Sequence, residues 1–337
     1  MGELIPYIQT RTGEIAAIGT ALCWVLTSLT FAAAGRRIGS VAVNLIRTLL
    51  ALVILLIVHR MVFGLWIPEL DSKSVIYLAC SGVIGLAIGD QFFFTALVDI
   101  GSRMTTILST LAPPVAALLA WPILDEPLGW LAILGIAVTI LGIAWVVVER
   151  PEGSQTIEHL HRIRGTIFGV LAGICQAVGL ILAKLGMGHT RTDVVELVNP
   201  WTVTLVRMAF ASIGICILAG GVFLFQKRRQ SQDTMAISSE SEHLPPSRHE
   251  VDRATLRRQA LAFVLMGTIF GPVVGVWLSM VAVDQTSAGI AATLMALSPV
   301  FILPFAVWIE KERLSWRAVV GALVAVAGVV LLASIST

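Results

Sequence analysis

Residues 130–148 read WLAILGIAVTILGIAWVVV, with no ionisable side chain, and similar runs recur along the whole chain. Runs of this length and polarity need lipid as their solvent. Inside lipid, every backbone N–H and C=O must find its partner within the protein, which leaves helices or closed barrels. A barrel strand would alternate polar and apolar residues over about ten positions. These runs are continuously apolar, so they predict helices. Length alone would suggest two soluble domains. Composition overrides that: 57% of the 337 residues are hydrophobic and 13% are charged, against about 45–50% and 25% in soluble domains. The expected partner is a lipid bilayer. A net charge of +2, with no basic stripe carrying interleaved aromatics, excludes nucleic acid.

With about 20 residues needed per crossing, the expected fold is all-α, with ten transmembrane helices. Five spans fall at 14–34, 41–60, 74–97, 102–124 and 129–148, and five more at 165–187, 200–225, 259–282, 286–309 and 316–334. The start, MGELIPYIQTRTGE, has mixed charge and no early apolar run. It does not read as a cleavable signal. Cys23, Cys80, Cys175 and Cys216 lie inside apolar runs and match no zinc or redox spacing, so they read as packing residues. His159 and His161 sit in a polar linker and read as solvated. No metal and no cofactor is expected.

The chain repeats itself. At an offset of 186, Gly85 falls on Gly271, Gly89 on Gly275, Pro113 on Pro299, Glu126 on Glu312, Trp130 on Trp316 and Gly142 on Gly328, without a gap. Earlier in each half, Arg47 (NLIRTLL) corresponds to Arg207 (TLVRMAF), and Cys23 to Cys175. The halves are 13–149 and 165–334, joined by a linker at 150–164. The second half carries a long loop at 226–258, which reads as flexible and solvated, in part helical at 250–258.

Five spans per half is an odd number, so the halves cross the membrane in opposite senses. Of 23 Lys and Arg, Arg47, Lys184 and Arg207 lie in spans. Arg11, Arg60, Lys73 and Arg191 fall on one side, leaving sixteen on the other. The positive-inside rule puts the sixteen in the cytoplasm and both termini outside. The matched hairpins agree: LDEPLG has no basic residue, whereas IEKERL carries Lys311 and Arg313. Inverted repeats mark transporters that bind cargo where the halves meet, near the midplane.

The paired patterns LSTLAPPVAALLAWPILDEPLGW and LMALSPVFILPFAVWIEKERLSW, each followed by a glycine-spaced helix, and the segment GLAIGDQFFFTALVDIGSR resemble the drug/metabolite transporter superfamily, in its ten-helix EamA-like type. The resemblance covers nearly the whole chain outside the linkers and is almost silent on substrate. It implies ten helices around a central cavity, with the fourth, fifth, ninth and tenth packed as a scaffold. It also implies cytosolic termini, against the charge count.

Charge within a span is costly, about 2.5–3.5 kcal/mol at the centre, and marks function by default. Asp90, beside Gln91, has no charged counterpart, because the offset matches it to Val276. It reads as a coupling or substrate-binding carboxylate, or as an Asp paired with an Arg. Arg47 and Arg207 read as cavity wall, or as ties between helices. Trp24 and Gln176, in equivalent positions, and Trp277 are further cavity candidates; packing and interhelical hydrogen bonding are the plain alternative. Pro113, Pro114 and Pro299 break the helical ladder of their spans, and a fixed kink is the plainer reading.

The expected function is secondary transport of a small organic substrate, as an exporter of amino acids or related compounds in the inner or plasma membrane of a bacterium. No G-x-x-x-x-G-K-[ST] loop is present, so protons, a counter-substrate or the cargo gradient must supply the energy. No enzyme motif stands out: only Asp90 is deep, and H-E-x-x-H and G-x-S-x-G are missing. An organophosphate or nucleotide-sugar exchanger is the alternative, provided that Arg47, Arg207 and Lys184 face inward. A homodimer is compatible with a chain of this kind.

Overall fold

The computed structural model of the chain describes residues 11–124, 128–148, 159–188, 198–236, 249–285, 291, 294–308 and 316–333. All regular structure among them is helical. The helices are α1 (Thr12–Ile38), α2 (Ser40–Phe63), α3 (Ser72–Ser81), α4 (Asp90–Ser109), α5 (Ala112–Leu124), α6 (Trp130–Val148), α7 (His159–Gly186), α8 (Pro200–Ala236), α9 (His249–Thr268), α10 (Val276–Gln285), α11 (Ser298–Trp308) and α12 (Trp316–Ala333). A π-helical segment, Gly82–Gly89, joins α3 to α4, and another, Ile269–Gly275, joins α9 to α10.

The polarity of the bundle suits lipid. Ile15, Ile18, Leu22 and Leu26 form one stripe of α1 and are exposed, while Thr20 and Ser28 on its other side are buried. In water that arrangement would be inverted. Six runs are long and apolar enough to cross a membrane: Thr12–Ile38, Ser40–Phe63, Ser72–Ser109, Leu160–Gly186, Pro200–Leu224 and Leu256–Gln285. Shorter apolar helices are Ala112–Leu124, Trp130–Trp145 and Val319–Gly328.

Helix ends follow local chemistry. Asp71 caps α3, accepting from the amides of Lys73 at 3.0 Å and Ser74 at 3.1 Å. Hydrogen bonds from the Ser74 side chain and then its amide hold the Asp71 carboxyl below the usual carboxylate range. The expected third and fourth spans part at Gly101, whose φ of 80° and ψ of 170° only glycine adopts without strain. Two residues before this point α4 is tied to α7, where Arg164 donates to both oxygens of Asp99 at 2.7 and 2.6 Å.

The structure shortens the long loop expected at 226–258. Helix α8 continues to Ala236 and α9 begins at His249. The run QKRRQ after Phe225 consists of good helix formers, so it extends the helix beyond its apolar stretch. Residues 237–248 lie outside the described residues, as do most of the linker at 150–164 and the hairpin residues 125–127 and 309–315 on which the charge comparison rests.

The helices interleave along the chain. Helix α1 packs against α9 and α10, α7 packs against α3 and α4, α2 packs against α8, and α6 lies along α12. Close approach depends on small residues. Where α7 crosses the first π segment, a Cβ on Gly179 would stand 2.9 Å from the Gly85 Cα, and a Cβ on Gly85 3.3 Å from the Gly179 Cα. Ser81 closes this crossing by donating to the Gly179 carbonyl at 2.5 Å. Among the described residues the four cysteines form no disulfide.

Candidate functional site

A cavity of about 190 Å³ lies inside the bundle. Its walls come from α1 (Trp24, Phe31), α2 (Arg47), α4 (Asp90, Phe94), α7 (Gln176), α8 (Arg207) and α10 (Val276, Met280). Pro113 and Pro299 also line it. They mark two helix restarts: α4 stops before Thr110 and Leu111, and a turn at 296–297 precedes α11. Pro113, Pro114 and Pro299 therefore sit in the first turn of a restarted helix, where no intrahelical N–H is needed. Each restart opens the ladder beside the cavity: Thr110 lines it, and so does Ala296.

Arg47 is tightly held. Its Nε and Nη2 donate to the Asn44 side-chain oxygen at 3.2 and 2.9 Å, and Nη2 also donates to the Leu86 carbonyl at 3.2 Å. Asp90 forms an ion pair with the same nitrogen. The guanidinium lies 4.8 Å from the centre of the Phe94 ring, a cation–π arrangement. The π segment turns the Leu86 and Ala87 carbonyls toward α2: Ala87, which also takes the Asp90 amide, accepts from Asn44 Nδ2 at 3.2 Å. Asn44 Nδ2 also donates to Gln91 at 3.3 Å, and Gln91 reaches Ser40 at 3.2 Å and Thr95 at 3.3 Å. Gln91 thus lies behind Arg47, outside the cavity lining.

Arg207 is held differently. It is 5% exposed. Its Nη1 lies 3.5 Å from the Met280 sulfur, and its buried Nε has no hydrogen-bond partner. Among the described residues no carboxylate lies within ion-pair distance of it. Trp277 is off the cavity and meets Trp201 edge-on, with ring centres 6.1 Å apart. Lys184, half-buried, is also off the lining. Of the sequence candidates, the structure brings Trp24, Arg47, Asp90, Gln176, Arg207, Pro113 and Pro299 to one cavity. It leaves Gln91, Trp277 and Pro114 outside.

Sequence reasoning passed over two kinds of wall residue and one residue behind the wall. Phe31, Phe93 and Phe94 form an aromatic wall, with Phe31 and Phe94 edge-to-face at 5.1 Å. A belt of hydroxyls, Thr27, Thr106, Ser109, Thr110 and Ser298, lines the cavity, each donating back to a carbonyl three or four residues earlier in the chain at 2.6–2.8 Å. Asn44 orients Arg47 from one turn away. The available signals were the Asn44/Arg47 spacing of three, which puts both on one helix face, and the three phenylalanines that follow Asp90-Gln91. Among the described residues no cluster of three or more His, Cys, Asp or Glu could hold a metal ion. His161 is exposed; the His159 side chain lies outside the described residues.

A helical bundle with a lipid-facing apolar exterior and an internal cavity carrying charge defines a polytopic membrane protein built to hold a small solute. The EamA-like transporter family model matches residues 11–148 and 163–334, and the chain belongs to that family. It is thus a membrane protein of a family that transports small molecules. One solved structure, titled only "Crystal structure of protein", is similar in fold, with 15% identity, coverage of 95% of this chain and 94% of that one, and a TM-score of 0.59. No curated protein matches the sequence.

Proposed function

We propose that this chain is a secondary transporter that moves a small organic metabolite, an amino acid or related compound, out of the cell by alternating access between two inverted five-helix halves, 13–149 and 165–334. One observation carries the reading: a single cavity has walls from both stretches, at the level where helices break and restart. Discontinuous helices around a midplane cavity are the usual architecture of a transport site. Further support comes from spacing. The π segments both end at glycines 186 positions apart, Gly89 and Gly275, and the turns at 110–111 and 296–297 have the same offset. The interleaved packing of α1 on α9 and α10, and of α7 on α3 and α4, suits two pseudo-equivalent halves that rock about the cavity.

The organophosphate reading has less support. Arg47 and Arg207 both face the cavity, but Asp90 neutralises Arg47. The test is counterflow in proteoliposomes containing the purified full chain, preloaded with unlabelled amino acids, keto acids or sugar phosphates in separate preparations. Accumulation of labelled amino acid or keto acid is expected. Accumulation of the sugar phosphate alone would favour the exchanger.

A further inference from the structure

The two cavity arginines occupy matching sequence positions, yet they have unequal partners. Around Arg47 stand Asp90, Phe94 and Asn44. The offset of 186 carries Asp90 to Val276 and Phe94 to Met280, and the Arg47-to-Arg207 spacing carries Asn44 to Thr204. Met280 is indeed the side chain against Arg207, and Val276 lines the cavity as Asp90 does. Thr204 does not reach across, because its hydroxyl donates to the Pro200 carbonyl at 2.9 Å. The second half therefore keeps the cation and replaces its carboxylate with a valine.

The charge balance of the cavity follows. Arg47 and Arg207 contribute two positive charges and Asp90 one negative, and no other ionisable side chain lines the cavity among the described residues. One positive charge is left over: Asp90 contacts Arg47 and acts on Arg207 only through space, and the Arg207 guanidinium is 5% exposed with an unpartnered Nε. A buried unpaired charge is expensive, and a partner carrying the opposite charge relieves that cost. Most hydroxyls of the wall already donate to nearby backbone carbonyls, so Arg207 is the spare charged donor for an anion, with the neutral Gln176 amide also in the lining. A carboxylate matches its planar fork. A phosphate dianion would leave an excess negative charge in a wall that is mostly apolar.

We propose that Arg207 docks the acid group of a monocarboxylate whose apolar body lies against Trp24, Phe31, Phe93 and Phe94. This rests on the transport reading and narrows its cargo to an amphipathic organic acid. The probes are 3-phenylpropionate and its neutral amide, titrated into the detergent-purified full chain and read by tryptophan fluorescence. The wild type is expected to prefer the acid by about ten- to a hundredfold, the range for a charge-assisted hydrogen bond.

Two variants then remove the preference by different routes. Arg207→Gln deletes the cation. Val276→Asp gives Arg207 the carboxylate that Arg47 already has, and it adds a partner rather than orphaning one. Equal affinity of the wild type for acid and amide, or an acid preference that survives in Val276→Asp, overturns the proposal. Binding does not require transport. Acid preference without counterflow of any cargo sinks the transporter reading and leaves the docking site standing. Counterflow of a neutral cargo without acid preference does the reverse.

Discussion

Asp90→Asn removes one charge from the most constrained part of the site. The Arg47 and Asp90 side chains are 4% and 14% exposed, so little solvent screens the loss. Removing one partner of a buried ion pair costs about 3–5 kcal/mol, because the other charge is stranded. Asparagine keeps an acceptor oxygen, and Asn44 and the Leu86 carbonyl still accept from Arg47. The expected loss is therefore at the low end, about 3 kcal/mol. That shifts the folded-to-unfolded ratio by roughly a hundredfold. Reversible unfolding of the purified protein in mixed micelles, titrated with SDS and followed by tryptophan fluorescence, reads it directly. The double variant Arg47→Met/Asp90→Leu removes both charges and should lie closer to wild type than Asp90→Asn, since replacing a whole buried pair with apolar groups is often near neutral. An Asp90→Asn loss under about 0.5 kcal/mol, or a double variant worse than both single changes added, would refute the pairing argument.

Four further outcomes are expected. In proteoliposomes, Asp90→Asn should retain counterflow but lose any acceleration by an imposed pH gradient; an unchanged response removes Asp90 from proton coupling. Gly179→Leu should cost several kcal/mol or prevent folding, since its side chain would enter the Gly85 backbone at 2.9 Å; recovery of wild-type yield and stability would contradict the crossing. Trp24→Ala should raise the KM of transport while Trp277→Phe leaves it unchanged, because only Trp24 lines the cavity; equal effects would remove the distinction. A reporter fused after Thr337 should read as external, and a cytoplasmic signal would overturn the charge-based orientation.

The helical nature of the chain was legible because lipid leaves the backbone so few choices. The arginines and Asp90 stood out as charges in apolar runs. The partnership between them did not, because it depends on how α2 meets the π segment and α4. Gln91 shows the limit in one direction: as a neighbour of Asp90 in sequence it looked like cavity wall, but one position on a helix turns a side chain by about 100°, and it faces Asn44 instead. Trp277 stands next to Val276 and misses the cavity for the same reason. Met280 and Thr110 show the limit in the other direction. Neither is unusual in an apolar helix, and only the packing of α8 on α10 and the break before α5 bring them to the site. The extent of α8 was underread because a charged run after an apolar one signals the end of the membrane, not the end of the helix.

The central claim is that cargo occupies the cavity between the two stretches of the chain. It is tested most directly by counterflow in proteoliposomes with the wild type and Ser109→Trp. Ser109 lines the cavity at the break before α5, where an indole would fill the space. The account predicts that the wild type accumulates labelled organic acid above empty liposomes. It predicts that Ser109→Trp, equally abundant and equally resistant to SDS, does not. Undiminished counterflow through the filled cavity would contradict it.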